Sequence, residues 1–174
     1  MEATPIAHYY TEWDSPIGTL VLVANDWAIE VVLFKDEVKS GFDQGLYQFG
    51  RNAILELAIT QLEDYFNGNR KVFELPIHQK GTDFQRQVWQ TLLGIPYAST
   101  ETYSQLAERL GDRNKIRAVA TANAKNQLLI IVPCHRIIGE NNKLVGYRGG
   151  LDRKRWLINF EKENSVCKIP NTLF

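Results

Sequence analysis

A chain of 174 residues, 44% apolar and 23% charged, can bury a core as one large domain or two small ones. Lys plus Arg and Asp plus Glu number 20 each, so bulk charge points to no polyanionic partner and any basic footprint must be local. Two cysteines make no disulfide framework, no apolar run nears the roughly 20 residues of a membrane span, and Met1 to Tyr10 lacks a signal-peptide pattern. A soluble intracellular protein is expected, cytoplasmic, or nuclear if the source is eukaryotic. In chain order, Tyr9 to Trp13, Thr19 to Ala24 and Ala28 to Phe34 are β-prone runs split by Asp14-Ser15-Pro16-Ile17-Gly18 and Asn25-Asp26, an antiparallel meander. Lys35 to Gly50 is polar and reads as irregular loop. Ile54, Leu55, Ala58, Leu62 and Phe66 recur at helical spacing, with Gly68 as the stop. Residues 69 to 80 are extended, and a domain boundary is expected near Gly81.

The second half reads as helical. Thr82 to Gln85 is a capping box, followed by Phe84, Val88 and Leu92 on one face, and Gly94 and Pro96 end that helix. Thr102 to Gln105 is a second capping box, opening a helix through Leu110 that Gly111 closes. After the turn Asp112-Arg113-Asn114, a third helix is expected over roughly Lys115 to Ala122 with Asn114 as its cap. Two short helices around such a turn make a helix-turn-helix or an ordinary helical corner. Arg109, Arg113, Lys115, Arg117 and Lys125 lie in or near it, and Arg148, Arg153, Lys154 and Arg155 follow, which favours a nucleic-acid partner. A last helix is expected over Asp152 to Glu161.

The apolar run Ile130-Ile131-Val132 stops at Pro133 and hands over to Cys134 and His135. Proline removes a backbone donor there, so Cys134 should sit on a turn just past an ordered stretch. A thiol is a nucleophile only as thiolate and needs a base. His135 is adjacent, and since sequence neighbours rarely point the same way it would act through a water. A carboxylate must then fix its tautomer. Glu161, Glu140 and Asp152 are the candidates, and spacing does not choose among them. No CxxC or HxxxH spacing appears, so no metal is expected, and Cys167 reads as incidental.

At IVPCHRIIG the chain resembles the active-site signature of the O6-alkylguanine-DNA alkyltransferases, the methylated-DNA–protein-cysteine methyltransferases. The resemblance extends over FQRQVWQTLLGIPYASTETYSQLAERLG, NKIRAVATANAKN and GYRGGLDRKRWLINFE, in the family's order and spacing. It implies an α+β protein. Residues 1–80 would form an N-terminal α/β domain, ribonuclease H-like, with a small antiparallel sheet plus helix. Residues 81–174 would form a mostly helical winged helix-turn-helix domain that binds DNA and accepts the alkyl group. The implied activity is irreversible, stoichiometric transfer of the alkyl group from O6-alkylguanine, and from O4-alkylthymine as a further substrate, to the protein's own cysteine. The partner is double-stranded DNA, no cofactor is required, and a monomer is expected.

The resemblance also implies roles. Cys134 is the acceptor, His135 the water-mediated base, Glu161 its orienting carboxylate, and Asn126 the brace of the active-site turn. Tyr103 protonates the leaving guanine and crowds the target phosphate into rotation. Arg117 is the finger that fills the gap left by the flipped nucleotide, with Ala118, Thr121, Ala122 and Arg136 also against DNA. Tyr147, Arg148 and Gly149 line the base pocket. The chain departs from the family's usual pattern at Gln127, where proline is frequent, at Ala98, Ala120 and Ala124, where glycine is common, and at Ile137, where valine is. The alternative from another class is a damage sensor with an unreactive thiol, binding alkylated duplex without a change in protein mass.

Overall fold

The computed structural model describes residues 7–38 and 46–165. Cys167 and the first six residues of the Met1 to Tyr10 stretch lie outside them. The three expected strands are present as β1 (Tyr9–Ser15), β2 (Gly18–Ala24) and β3 (Ile29–Phe34), an antiparallel meander. Ser15 pairs with Gly18 across a tight turn whose φ of 126° at Gly18 suits only glycine. The stretch expected as loop holds a 3₁₀ turn (Lys35–Glu37) and a two-residue strand β4 (Gln48–Phe49), parallel to β1. A strand of two residues carries no alternation that a sequence pattern could reveal. The sheet order is β3-β2-β1-β4.

Helix α1 (Ala53–Phe66) starts where Asn52 accepts the Leu55 amide at 3.0 Å and packs Leu55, Ala58, Leu62 and Tyr65 against the sheet. Each fully buried Leu of that stripe contributes about 1.5–3 kcal/mol. Edge strand β3 is then covered by two segments from outside the meander. Ile29 pairs with Pro76 and His78, and Val32 with Gln127 at 2.7 Å and Leu129 at 3.0 Å. The second pairing draws the run before Cys134 onto the N-terminal sheet.

The later helices are α2 (Asp83–Leu92), α3 (Tyr103–Arg109), α4 (Ile116–Ala124) and α5 (Leu151–Ser165), with a two-residue parallel ladder of β5 (Glu101–Thr102) and β6 (Ile137–Ile138). Both capping boxes are complete in both directions. The third helix differs from expectation at its start. A 3₁₀ turn (Arg113–Lys115), capped by Asp112 accepting the Asn114 amide, leads into it, and Lys115 rather than Asn114 stands at the start of the helix itself, without a side-chain cap. It also runs two residues further, and α5 extends four residues past Glu161. Helices α3 and α4 form the helix-turn-helix of a winged domain. Trp89 fixes α4 by donating its buried indole N–H to Ala122 O at 2.9 Å. One apolar core runs from Leu20 through Leu62 and Val88 to Leu157, spanning both halves. No helix among the described residues is long and apolar enough to cross a membrane.

Candidate active site

Cys134 opens a 3₁₀ turn (Cys134–Arg136) directly after Pro133. The thiol is nevertheless 2% exposed. The expected ordered stretch before it is a buried irregular run rather than a strand. Ile131 N bonds Leu129 O at 2.9 Å and Cys134 N bonds Val132 O at 2.8 Å, two successive three-residue turns. The first holds Ile130 at φ 73°, a left-handed conformation that costs a β-branched residue on the order of 1–3 kcal/mol. Packing against the core and β3 holds it there.

Asn126 ties this run together. Its Nδ2 donates to Val132 O at 3.0 Å and to Cys134 Sγ at 3.1 Å, while its Oδ1 accepts from Leu128 N at 3.0 Å and from Gln79 Nε2 at 2.8 Å. Burial pushes the Cys134 thiol up to about 11, against the pull of the Asn126 amide and the charges of Lys154 and Arg148. At that value roughly one chain in 10⁴ holds a thiolate at pH 7, so a base must take the proton during the reaction.

The base stands beside it, fully buried. His135 Nε2 lies 2.7 Å from Glu161 Oε1. Glu161 also receives Tyr65 Oη at 2.8 Å, the Ala98 amide at 3.1 Å, and the Nε and Nη2 of Arg136, each at 2.9 Å. Burial opposes ionisation of Glu161, but His135 and Arg136 together hold its carboxyl well below the usual range. An ionised carboxylate only accepts, so Nε2 carries the imidazole proton and Nδ1 is the basic nitrogen. Nδ1 is buried and has no hydrogen-bond partner among the described residues. Burial also pulls His135 below its ordinary value, against the influence of Glu161, which keeps the ring neutral and able to accept. Of the other candidate carboxylates, Glu140 accepts from Ser104 and Asp152 pairs with Arg155 on the surface.

A cavity of about 270 Å³ opens over Sγ, lined among others by Tyr103, Asn123, Gly146, Tyr147 and Arg148. Burial raises the Tyr103 hydroxyl, with the Asn123 side chain opposing. Among the described residues, Tyr147 Oη and Asn123 Oδ1 are buried without a hydrogen-bond partner. Helix α4 borders the cavity through Ala120, Asn123 and Ala124 and turns Arg117, Ala118 and Thr121 to solvent. Arg117, Lys125 and Arg148 have no ion-pair partner among the described residues, whereas Arg109, Arg113, Lys115, Arg153 and Arg155 are each paired.

Two residues expected against DNA face inward. Arg136 is 6% exposed, its guanidinium spent on Glu161 and on Ile95 O at 2.6 Å, because the 3₁₀ turn directs it into the core. Ala122 is 2% exposed and packs on the α2 side of α4. Sequence reasoning missed Tyr65 and Gln79, which reach the site from the N-terminal half, and read Lys154 only as part of a basic cluster. Lys154 is wholly buried, donates to Val145 O at 2.7 Å and Gly146 O at 2.8 Å, and is pulled by burial down to about 8. Alanine stands at position 98 at φ 63°, where glycine would be unstrained, and that backbone turn aims the Ala98 amide at Glu161.

The model of the 6-O-methylguanine DNA methyltransferase DNA-binding domain matches residues 83–163, and that of the same protein's ribonuclease-like domain matches residues 8–79. A methylated-DNA–protein-cysteine methyltransferase of Mycobacterium leprae is 39% identical over 161 residues, 92% of this chain and 95% of that protein. The chain belongs to the methylated-DNA–protein-cysteine methyltransferase family. The crystal structure of the Mycobacterium tuberculosis O6-methylguanine methyltransferase is similar, with TM-score 0.84, 37% identity and coverage of 92% of this chain and 96% of that one. A Mycobacterium tuberculosis structure in complex with DNA has TM-score 0.82 at 38% identity and covers 90% of this chain and 94% of that one. As a methylated-DNA–protein-cysteine methyltransferase, the chain is a direct-reversal DNA repair enzyme with DNA as its partner. The relatives lend no support to the sensor alternative.

Proposed function

We propose that Cys134 is the alkyl acceptor and O6-alkylguanine in duplex DNA the substrate, consumed one alkyl group per chain. The observation that carries this reading is a buried thiol, hydrogen-bonded by Asn126, on the floor of a cavity that a helix-turn-helix helix also lines. A target inside a duplex cannot reach such a thiol, so the nucleotide must leave the stack. Extrusion costs a few kcal/mol, least for a damaged base. Arg117, at the solvent face of α4 with Ala118 and Thr121, is the side chain for the vacated place in the stack, in the manner of minor-groove wedges. Lys125 and Arg148 are then free to meet phosphates.

In the cavity the base lies against Tyr147 and the backbone at Arg148, while Gly149, expected in the same lining, stands behind Tyr147 against Phe34. Sγ attacks the alkyl carbon as His135 Nδ1 takes the thiol proton through a water. The S–C bond forms, the C–O bond breaks, and the electron pair stays on guanine O6. Tyr103 supplies the proton that neutralises it. Glu161 holds the tautomer and the charge of the imidazolium, and Asn126 stabilises sulfur while it is anionic. The product is a thioether, which no residue of this site can reverse.

The working division of the chain falls near Gly81, the protein acts as a monomer, and it is cytoplasmic. The test is an intact-mass spectrum after incubation with duplex DNA carrying one O6-methylguanine, beside Cys134→Ala. One methyl per chain, mapped to Cys134 and absent from the variant, is expected. Damage-specific binding without a mass gain would make the protein a sensor and overturn the proposal.

A further inference from the structure

Residues 144 to 147, at the mouth of the cavity, belong to no helix or strand. Two consecutive cations of α5 hold this loop and the turn that follows it. Lys154 takes the carbonyls of Val145 and Gly146, and Arg153 Nη1 takes that of Gly149 at 3.2 Å. Lys154 is anchored within its own half of the molecule. Arg153 is anchored in the other half. Its Nη1 and Nη2 fork onto the two oxygens of Asp36 at 2.9 Å each, its Nε donates to Ile17 O at 2.8 Å, and its guanidinium lies 3.9 Å over the ring of Phe34.

Phe34 meets the loop directly as well. A Cβ on Gly149 would stand 2.7 Å from Phe34 Cε2 and 2.6 Å from Tyr147 Cε1, so both rings close on the backbone at Gly149 and leave no room for a side chain there. Phe34 is fully buried and cannot retreat. A wall of the cavity therefore rests on the end of β3 and the 3₁₀ turn after it.

We infer that the Arg153–Asp36 fork, seated on Phe34, is a positioning device through which the N-terminal half sets the base-pocket loop for alkyl transfer. This rests on the reading of Tyr147 and Arg148 as the base pocket. Only a planar guanidinium can fork onto Asp36, donate to two carbonyls and stack on a ring at once. The Asp36 side chain is 61% exposed, so the pair adds little to stability, and its consequence lies in where the loop sits. Small displacements far from the reacting atoms are costly, up to about 100-fold in rate.

The experiment measures the single-turnover transfer rate constant for Arg153→Met, Asp36→Asn and their double variant. It uses an O6-methylguanine duplex and a free O6-alkylguanine base, each at saturation, with duplex affinity and melting temperature measured in parallel. Asp36→Asn removes only an exposed charge and keeps the fold testable if Arg153→Met does not. Expected is a fall of about 10- to 100-fold on both substrates. Duplex affinity should change by less than about twofold and the double variant should be no slower than the worse single one. Tyr147→Ala separates the two levels of the argument. If it slows transfer while the Arg153 and Asp36 variants do not, the fork is only a surface ion pair and the inference is overturned. If Tyr147→Ala is also silent, the base-pocket reading fails and takes the inference with it.

Discussion

His135 Nε2 and Glu161 Oε1 stand 2.7 Å apart in the interior, and neither side chain reaches solvent. Both folded values lie below their unfolded ones, His135 chiefly through burial and Glu161, despite burial, through His135 and Arg136. As pH falls through about 6.5 the unfolded chain binds a proton that native His135 refuses, so stability declines. The stabilisation from ionised Glu161 is complete above about 4.3 and is lost in turn as pH falls from there toward its folded value. Urea unfolding at a series of pH values should show both slopes, and His135→Gln should remove its share of the upper one. The transfer rate of the wild type follows folded His135 instead, so it should hold through about 6.5 and decline only at lower pH, after the stability slope has begun. Transfer by His135→Gln as fast as wild type across that range would remove His135 as the base.

Asn126 bonds sulfur, two carbonyls and two donors with one amide. Asn126→Ala leaves several buried groups unpaired, at about 1–3 kcal/mol each, so most of the loss should appear as lowered unfolding free energy. Asn126→Asp isolates the chemistry. A carboxylate there cannot donate to Sγ and repels a thiolate, so the thiol should titrate still higher than about 11 and transfer should slow at least tenfold. The thiolate absorbance near 240 nm reads the titration directly, and a lowered value would contradict this role.

Much of this arrangement was legible before any coordinates. Thr82 and Thr102 announce helix starts through side chains that reach backbone amides within the same turn, and such signals are local. PCHR named the thiol and its base together. Invisible were the parts that depend on distance in the chain. Tyr65 donates to Glu161 across 96 residues and Gln79 to Asn126 across 47, with no spacing rule to link them. Ile130 shows the opposite limit. Its left-handed φ is a conformation that sequence reasoning reserves for glycine or asparagine, and tertiary packing imposes it on isoleucine. Arg136 was misplaced for a related reason, since a charge beside an active cysteine reads as surface until its buried counter-charge is seen.

Arg117 and Arg136 should accordingly fail in different ways. Arg117 is exposed at α4 and has no ion-pair partner among the described residues, so Arg117→Ala should slow repair of duplex DNA and leave reaction with a free O6-alkylguanine base and the melting temperature nearly unchanged. Arg136→Ala strips a buried carboxylate of its counter-charge and should cost about 3–5 kcal/mol of unfolding free energy. Denaturant titration beside single-turnover transfer on both substrates distinguishes them. Equal stability losses in the two variants would contradict the assignment of Arg117 to the DNA face.

Alkylation should itself destabilise the protein. Sγ sits 2% exposed against the Asn126 amide, and a thioether can neither donate nor form the anion that the amide favours. The added group has one open direction, the cavity toward Tyr147 and Arg148, and forcing extra bulk beside a sulfur packed on its other sides costs about 1–3 kcal/mol. For a chain of this size each kcal/mol lowers the melting temperature by roughly 2–4 °C. A methyl group should therefore give a shift toward the small end and a benzyl group, which brings more bulk against the wall at Gly146 and Tyr147, a larger one. Melting curves of the free, methylated and benzylated protein test the ordering. Identical curves for all three would mean that the loop at 144–147 yields freely, which two lysine bonds to its carbonyls argue against.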